Sequence, residues 1–361
     1  MKTLEELAAV DTTTITEMLP KVISKAVELK ARELLLGRSL LRRNTDILVP
    51  KPGKSVFLPL RSQITAQEFA EGADMSAVTP EGVTYADTVE VTPTKFGVPL
   101  KITQEAIDAA QHDVIRDNID EAGYAMALLE DTRILNEIFG VTAITNENVA
   151  IAEGQTDGAL AQSKVLVITS ITVPGGYTLV GVNYKDGKIR VTPAAGVGGI
   201  TVAVSYKYAS GRNYYYIQTG TTHADLTYKD VLAAQAEVLA KKERPNFLIL
   251  DAAGANLLQK DLVGYLTFQA GEGAVRVPGE LGAVGSLRVA ISGQVPAGNG
   301  LIIATERAGW IVDKRDLTTK REDEARTDSI RFYITRISAA KITLPDALLI
   351  IGGTQSNAIY F

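Results

Sequence analysis

The 361-residue sequence predicts a mixed α+β fold that carries an additional, inserted β-rich unit. A long helical pattern ends at Phe139, and short β runs separated by glycine-containing turns then fill residues 141–222. After that point helices and strands follow one another without a regular βαβ alternation, which favours α+β over α/β. With 46% hydrophobic and 22% charged residues, the composition is that of a globular chain.

The composition also excludes several kinds of chemistry. The chain has no cysteine, so it forms no disulfide, thiolate nucleophile or zinc–thiolate site. Its net charge of −5 does not predict that the chain as a whole binds polyanions. The N-terminus, MKTLEELAAVD, lacks the apolar core of a secretory signal, and no apolar window is long enough for a membrane span. We therefore expect no membrane partner.

The first 54 residues are predicted to form a polar, partly helical N-terminal arm. Its second half is strongly basic, because Lys21–Lys54 contains nine basic residues against three acidic ones, a balance of +6. The simplest interpretation of such a segment is a solvated helix face, and the alternative is a contact with acidic groups of another chain. The candidate contact residues in the arm are Lys21, Lys25, Arg38, Arg42 and Arg43.

Residues 55–100 are predicted to form an extended, acidic β-hairpin. Ser55–Leu60 is the first strand, and the chain returns through Phe96–Leu100. Between them, Ser62–Thr94 contains no Lys or Arg. A lone hairpin is at best marginally stable in water, so we expect its partner surface on another chain, although a disordered acidic loop is the alternative. The six acidic residues are Glu68, Glu71, Asp74, Glu81, Asp87 and Glu90.

A long helix and a β-rich insert are predicted next. Thr103 can cap a helix whose apolar pattern continues to Phe139, which corresponds to a length of roughly 50 Å. Four strands are then expected, at Lys164–Thr172, Tyr177–Tyr184, Gly187–Thr192 and Gly199–Tyr208, in a small sandwich or barrel. The expected inner face of the last strand consists of Val202, Val204, Tyr206 and Tyr208.

The remaining chain is predicted to alternate irregularly between helices and short buried strands. Asp251 is expected to cap the second of its two helices. From Thr318 onward the apolar residues alternate, at Ile330, Phe332, Ile334 and then Ile337. The predicted elements are helices at Thr227–Lys242 and Ala252–Gln259 and strands at Phe247–Leu250, Leu287–Ile291, Leu301–Ala304 and Leu344–Ile351.

No motif predicts a catalytic, cofactor or metal site. The two histidines, His112 and His223, are isolated and are interpreted as surface residues. There is no phosphate-binding G-x-x-x-x-G-K-[ST] loop and no G-x-S-x-G nucleophile motif. The glycine-rich stretch 271–285 does not open a helix after a strand, which favours a flexible loop over a dinucleotide site. The mixed charges of Arg321–Arg326 are interpreted as a solvated face or as interface ion pairs.

The order of these elements resembles that of the major capsid proteins of tailed phages, which have the Hong Kong 97-type fold. Lys21–Phe139 resembles the basic arm, extended loop and spine helix of that family. Tyr228–Lys260 and residues 281–312, LGAVGSLRVAISGQVPAGNGLIIATERAGWIV, resemble its axial domain. The closing stretch, FYITRISAAKITLPDALLII, resembles the strands that return to the peripheral domain. The resemblance covers roughly 1–139 and 223–361.

This resemblance implies a domain division and a structural function. The implied segments are an N-terminal arm (1–54), an extended loop (55–100), a spine helix (101–140), an inserted β-rich domain (141–222), an axial domain (223–316) and return strands (317–361). The protein would assemble with itself into hexamers and pentamers of an icosahedral shell, within the host cytoplasm and then the virion. Packaged double-stranded DNA, contacted non-specifically, a separate scaffolding protein and a portal are the other implied partners. No lysine lies in Ser62–Thr94, so a lysine–asparagine crosslink from this loop is not expected.

Two alternatives to a viral capsid protein remain. An encapsulin-like nanocompartment shares the fold but encloses protein cargo, and the insert and the basic arm favour the virus over it. An α+β enzyme or ligand-binding protein is more remote, because the sequence lacks phosphate loops, metal constellations and nucleophile motifs. For the insert itself, an outward surface domain and a plain β-core are both open.

Overall fold

The computed structural model describes residues 36–44, 55–60, 87–103, 105, 114–196, 198–217, 226–262, 280–284, 286–324 and 329–352. The α-helices in these ranges are α1 Gly37–Leu40, α2 Val114–Phe139, α3 Tyr228–Ala240 and α4 Ala252–Leu262. The strands are β1 Arg42–Asn44, β2 Val56–Leu60, β3 Asp87–Val91, β4 Thr94–Thr103, β5 Val141–Ile151, β6 Asp157–Ala159, β7 Val165–Thr172, β8 Thr178–Asn183, β9 Lys188–Thr192, β10 Ile200–Ala209, β11 Tyr214–Tyr216, β12 Phe247–Leu250, β13 Glu280–Val284, β14 Leu287–Ile291, β15 Asn299–Ile303, β16 Gly309–Glu324, β17 Ser329–Ile342 and β18 Leu348–Gly352. None of the helices in the described ranges is both long and apolar enough to cross a membrane.

One sheet is built around a long hairpin. Its strand order is β1–β16–β17–β4, and β16 and β17 pair antiparallel along most of their length. Helix α2 lies against this sheet, because Ala122 and Met126 are one turn apart and pack on Phe96, Phe332 and Ile334. An apolar stripe thus holds the first half of the helix on the sheet, and residues at its end, Ile134, Leu135, Ile138 and Phe139, lie in a second core cluster.

A six-stranded sheet forms the largest core. Its order is β11–β18–β15–β12–β14–β13, and all four residues of β12 are buried. Phe247 and Ile249 face a cluster that includes the end of α2, whereas Leu248 and Leu250 face a second cluster under α3 and α4. A strand covered on both faces is apolar throughout, which explains why Phe247–Leu250 has no polar residue.

Helices α3 and α4 both begin at capping residues. The Thr227 hydroxyl accepts a hydrogen bond from the backbone N–H of Asp230, and the Asp230 side chain accepts one from the N–H of Thr227, a capping box that starts α3. The Asp251 carboxylate accepts a hydrogen bond from the N–H of Gly254 at 3.0 Å. The prediction that Asp251 caps this helix is therefore confirmed.

The β-rich unit after α2 has its own core. It contains two three-stranded sheets, β5–β10–β7 and β6–β9–β8, around one apolar cluster. Val202, Val204 and Tyr206 are buried in that cluster and Tyr208 packs against it, as the sequence predicts. The unit starts and ends at one point, since the carbonyl of Gly140 accepts from the N–H of Ser210 at 2.9 Å.

Gly140 is needed at this exit from the helix. Its φ is +61°, in the left-handed region, and a Cβ there would lie 2.4 Å from the Ser210 carbonyl oxygen. Arg212 completes the junction, because its guanidinium donates to the carbonyl oxygens of Glu137 and Ile138 at the end of α2.

Several expected boundaries are corrected by the strand pairing. Tyr214–Tyr216 pairs with β18, so these residues belong to the six-stranded sheet although they lie inside the expected insert 141–222. The expected boundary between 316 and 317 falls within β16. The last strand starts at Leu348 instead of Leu344, because Pro345–Ala347 forms a 3₁₀ turn.

Further differences from the expected structure concern three strands, the length of the long helix and the burial pattern of β17. Strands β5, β6 and β16 were not expected, since polar residues and glycine interrupt their apolar pattern. The described part of the long helix spans 26 residues, about 39 Å, and residues 104 and 106–113 of the expected helix lie outside the described residues. In β17 the buried alternation continues to Arg336 and Ser338, and Ile337 lies on the less buried side.

Candidate subunit interface and its charged junction

A buried group of charges joins four elements of the chain. Arg38 of α1 donates to Glu130 of α2 at 2.7 Å and to Asp313 of β16 at 3.2 Å. Arg336 of β17 donates to the other oxygen of Glu130 at 3.3 Å and to Asp316 at 2.9 Å. Together with Arg43 these residues form what we call the charged junction. Its members are Arg38, Arg43, Glu130, Asp313, Asp316 and Arg336.

The junction is electrically balanced and largely shielded from water. Three guanidinium groups face three carboxylates, and the side chains of Glu130, Asp313 and Arg336 are each 4% exposed. Burial lowers the pKa of Arg336, and the neighbouring carboxylate of Glu130 partly opposes this shift. Such a group is stable only while every charge keeps its partner, because an unpaired buried charge is costly.

The helical spacing of α2 and the strand alternation of β17 bring Glu130 and Arg336 to the charged junction. Ala122, Met126 and Glu130 are spaced four residues apart, so the carboxylate continues the helix stripe that packs on the sheet. Phe332, Ile334 and Arg336 alternate along β17 and face the same side. A charged residue that falls in step with an apolar pattern is the signal in the sequence that could have identified Glu130 and Arg336.

Asp131, beside the junction, binds the backbone of the N-terminal arm at the start of α1. Its carboxylate accepts hydrogen bonds from the backbone N–H groups of Leu36 at 3.1 Å and Gly37 at 2.9 Å. Burial raises the pKa of Asp131 to about 6, and the two backbone hydrogen bonds oppose this shift. The arm therefore meets α2 through a carboxylate that titrates in a physiologically accessible range.

Replacing Asp131 with asparagine is expected to remove part of the pH dependence of stability. The pKa of this carboxyl is higher in the folded chain than the unfolded value of 3.8, so folding is favoured when the group is protonated. Its stabilisation is full below pH 3.8 and is lost as the pH rises through about 6, by up to about 3 kcal/mol. Urea unfolding should show the free energy of unfolding of wild type falling by up to about 3 kcal/mol relative to that of Asp131→Asn from pH 4 to pH 7. A difference that stays constant over this range would contradict the assignment.

The arm arginines are used within their own chain. Arg38 and Arg43 pair with Asp313, and the guanidinium of Arg42 lies 4.7 Å from the ring centroid of Trp310. Arg38 and Arg43 therefore have carboxylate partners within their own chain, and a contact of these side chains with another copy stays a prediction. Lys21 and Lys25 lie outside the described residues.

The root of the acidic hairpin is anchored, but only on one face. Strands β2 and β3 form a two-stranded sheet, in which Val56, Leu58 and Val91 pack against Val312. On the opposite face Phe57 is 60% exposed. Its cross-strand partner Glu90 is also exposed. Asp87 is the first residue of β3, and Glu68, Glu71, Asp74 and Glu81 lie outside the described residues.

Helix α2 also presents apolar side chains to solvent. Tyr124 and Leu128, one turn apart, are exposed on the side of the helix away from Ala122 and Met126, and Leu129 is exposed at the edge of the packed stripe. Exposed apolar residues grouped on one helix face are typical of protein contacts. Phe57 and this helix face are candidate contact residues that were not predicted, because the sequence alone does not say which apolar residues the fold leaves uncovered.

Within the described ranges, no group of three or more histidine and acidic residues could hold a metal ion. The two conspicuous carboxylates of α2, Glu130 and Asp131, are instead occupied by arginines and backbone N–H groups. The charged residues of the junction join the N-terminal arm, helix α2 and the β16–β17 hairpin to one another.

Comparison with solved structures identifies the architecture. The chain is similar to the capsid protein of Ralstonia phage GP4, with 13% identity, a TM-score of 0.58, and 90% of this chain and 91% of that chain covered. It is similar to the capsid protein of cyanophage P-SCSP1u, with 13% identity, a TM-score of 0.53 and 90% of both chains covered. It is also similar to the SrpI encapsulin of Synechococcus elongatus, with 9% identity, a TM-score of 0.51 and 91% of both chains covered.

By sequence, no family model and no curated protein matches this chain. The structural similarity nevertheless extends over about nine tenths of each compared chain, so it describes the whole architecture and not a single shared motif. The chain therefore has the Hong Kong 97-type fold, as the order of its sequence elements predicts.

Proposed function

We propose that this chain is the major capsid protein of a tailed virus, and that many copies assemble into the icosahedral shell enclosing double-stranded DNA. The observation that carries the proposal is the shared fold along about 90% of this chain and of the two phage capsid chains. In this role the chain has no catalysis of its own, and it is part of the virion after assembly in the host cytoplasm.

The subunit has the exposed features that assembly requires. A two-stranded sheet roots the acidic hairpin, and such a sheet is marginal without further contacts. Phe57 on that sheet and Leu128 on α2 expose apolar surface. Individually these contacts are weak, but a closed lattice repeats them in every copy, so their effects accumulate. The same patches would serve in hexamers and pentamers after small angular adjustments.

The other partners follow from the same proposal. The basic N-terminal arm would contact packaged DNA through its phosphates, without reading sequence. A separate scaffolding protein would guide assembly, and a portal would occupy one vertex. The hairpin Ser62–Thr94 would act as a clamp on a neighbouring copy, and its acidic residues would contribute register and steering more than affinity.

An encapsulin-like nanocompartment is the second candidate, because one of the similar solved structures is an encapsulin complex. The inserted β-rich unit and the basic arm favour the virus. The contents of the particle separate the two candidates, since a capsid would contain nuclease-protected DNA and a nanocompartment would contain a protein cargo.

The direct test is to purify the chain alone and together with a co-expressed scaffolding protein, and to examine both samples by negative-stain microscopy. Closed shells are expected in at least one of them. A compact monomer under both conditions, with a saturable small ligand, would instead support an α+β enzyme or binding protein.

In this proposal the β-rich unit is an outward surface domain, so its excision is expected to leave a chain that folds and assembles. Val141 and Ala209 are paired neighbours, so a four-residue Gly-Ser linker can replace residues 142–208. Asn299 would lose the carbonyl of Leu166 at 2.9 Å, and the main core would lose the buried Leu166 side chain, which together should lower the free energy of unfolding by roughly 3–8 kcal/mol. Urea unfolding and microscopy measure both effects, and an insoluble product would mean that the unit is a core element.

A further inference from the structure

A basic cleft lies where three loops meet. The turn after α3, the turn between β15 and β16, and the end of the arm surround two adjoining cavities of about 230 and 530 Å³. Both cavities are lined by Thr305, Glu306 and Arg307. Lys242 and Arg244 line the smaller cavity, and Arg42 lines the larger one. We call Arg42, Lys242, Arg244 and Arg307 the basic cleft.

The charges of the basic cleft are not balanced within the described part of the chain. All four cationic side chains are exposed, and Glu306 is the one acidic residue that lines the cavities. Arg307 has a partner, since its Nε lies 3.3 Å from the buried Glu243 carboxylate. Among the described residues, no carboxylate pairs with Lys242 or Arg244. Like charges gathered in a concave surface attract an anionic partner.

The walls of the cleft are fixed in place. The side-chain amide of Asn246 donates to the Thr305 hydroxyl at 2.9 Å, and its carbonyl oxygen accepts from the backbone N–H of Thr305 at 3.0 Å. This reciprocal pair joins the two turns that carry Lys242, Arg244 and Arg307. A preorganised set of cations loses less side-chain freedom on binding than separate surface lysines would.

The chain itself contains a matching anionic segment. Residues 62–86 include Glu68, Glu71, Asp74 and Glu81 and no Lys or Arg. They connect strands whose adjacent ends, Leu60 and Asp87, are paired neighbours. About 13 residues on each side of such an excursion can reach roughly 45 Å from its root. The segment 62–86 is therefore long enough and acidic enough to bind a basic surface well beyond the root of the hairpin.

We propose that the basic cleft of one subunit receives the acidic segment 62–86 of a neighbouring subunit. This inference rests on the proposed shell function. Each copy offers one cleft and one segment, so a head-to-tail contact repeated around a closed ring satisfies both in every copy. It also names the surface of the neighbouring subunit that the acidic hairpin would bind. Arg38 and Arg43, which were predicted for that contact, have partners within their own chain.

Engineered disulfides provide the first test, because the natural sequence contains no cysteine. Arg307→Cys is combined in turn with Glu68→Cys, Glu71→Cys and Asp74→Cys, and assembled particles are oxidised and run on a non-reducing denaturing gel. A disulfide requires Cα atoms within about 7 Å, so only a close contact will crosslink. At least one pair is expected to give a ladder of covalent multimers. The control pair, Glu71→Cys with Lys188→Cys on an exposed position of β9, should remain monomeric.

Charge reversal decides the question if the cysteine variants assemble poorly. Arg244→Glu with Arg307→Glu is expected to reduce particle yield at least tenfold, and adding Glu68→Lys and Glu71→Lys should restore at least half of it. Shells without any ladder, crosslinks confined to single chains, or reversal without loss of particles would each overturn the inference. If reversal lowered only the nuclease-protected DNA, the cleft would be a nucleic-acid surface. Failure of the unmodified chain to form shells would instead count against the proposed function.

Discussion

Replacing residues 62–85 with an Asn-Gly turn is expected to give a folded, soluble subunit that no longer forms shells. Leu60 and Asp87 are paired neighbours. A two-residue turn between Arg61 and Ala86 can therefore close the hairpin. The anchor of the hairpin root on Val312 is kept. Only the excursion that would reach a neighbouring copy is removed. Sedimentation and negative-stain microscopy measure the loss of particles, and circular dichroism checks the fold.

A variant of natural length separates the effect of charge from that of reach. Changing the segment's four carboxylates to glutamine, at Glu68, Glu71, Asp74 and Glu81, should reduce particle yield and weaken its dependence on salt, since screened attraction no longer contributes. Shells of normal size and yield from the Asn-Gly variant would show that the hairpin is not a clamp.

Replacing Glu130 with alanine is expected to cause the largest loss of stability from a single substitution in the charged junction. The change leaves the guanidinium groups of Arg336 and Arg38 without their shared carboxylate, and the Arg336 side chain is only 4% exposed. Breaking a buried pair by removing one partner costs about 3–5 kcal/mol. Urea unfolding of the unassembled subunit measures this cost.

Glu121→Ala is the matched control, because Glu121 is exposed on the same helix. Its free energy of unfolding should stay within about 0.5 kcal/mol of wild type. Equal losses from both variants would mean that helix α2, and not the junction, accounts for the effect. A double change, Glu130→Leu with Arg336→Met, should recover part of the stability, since apolar replacements of buried charges avoid the desolvation cost.

Local patterns were enough to predict many individual elements. The strand Phe247–Leu250 and the helix starts at Thr227 and Asp251 depend on short-range rules of burial and capping, and the structure has all of them. The end of α2 at Phe139 was predicted for the same reason, because the next residue is a glycine that adopts a positive φ. Rules of this kind need only a few neighbouring residues.

These local rules could not predict contacts between segments that are far apart in the sequence. Arg38 and Asp313 are 275 residues apart, and no local pattern indicates that they meet. The arm therefore looked available to another copy, although its arginines have partners within the chain. The expected insert 141–222 includes Tyr214–Tyr216, but pairing with β18 places this strand in the six-stranded sheet.

By itself, the sequence determined many of the helices, strands and turns, that the charge is divided between a basic arm and an acidic hairpin, and that thiol chemistry is absent. Only the tertiary structure decided which charges neutralise each other and which remain exposed at the basic cleft. The physical reason is that backbone propensity and periodicity act over a few residues, whereas burial and ion pairing depend on which distant surfaces the fold brings together.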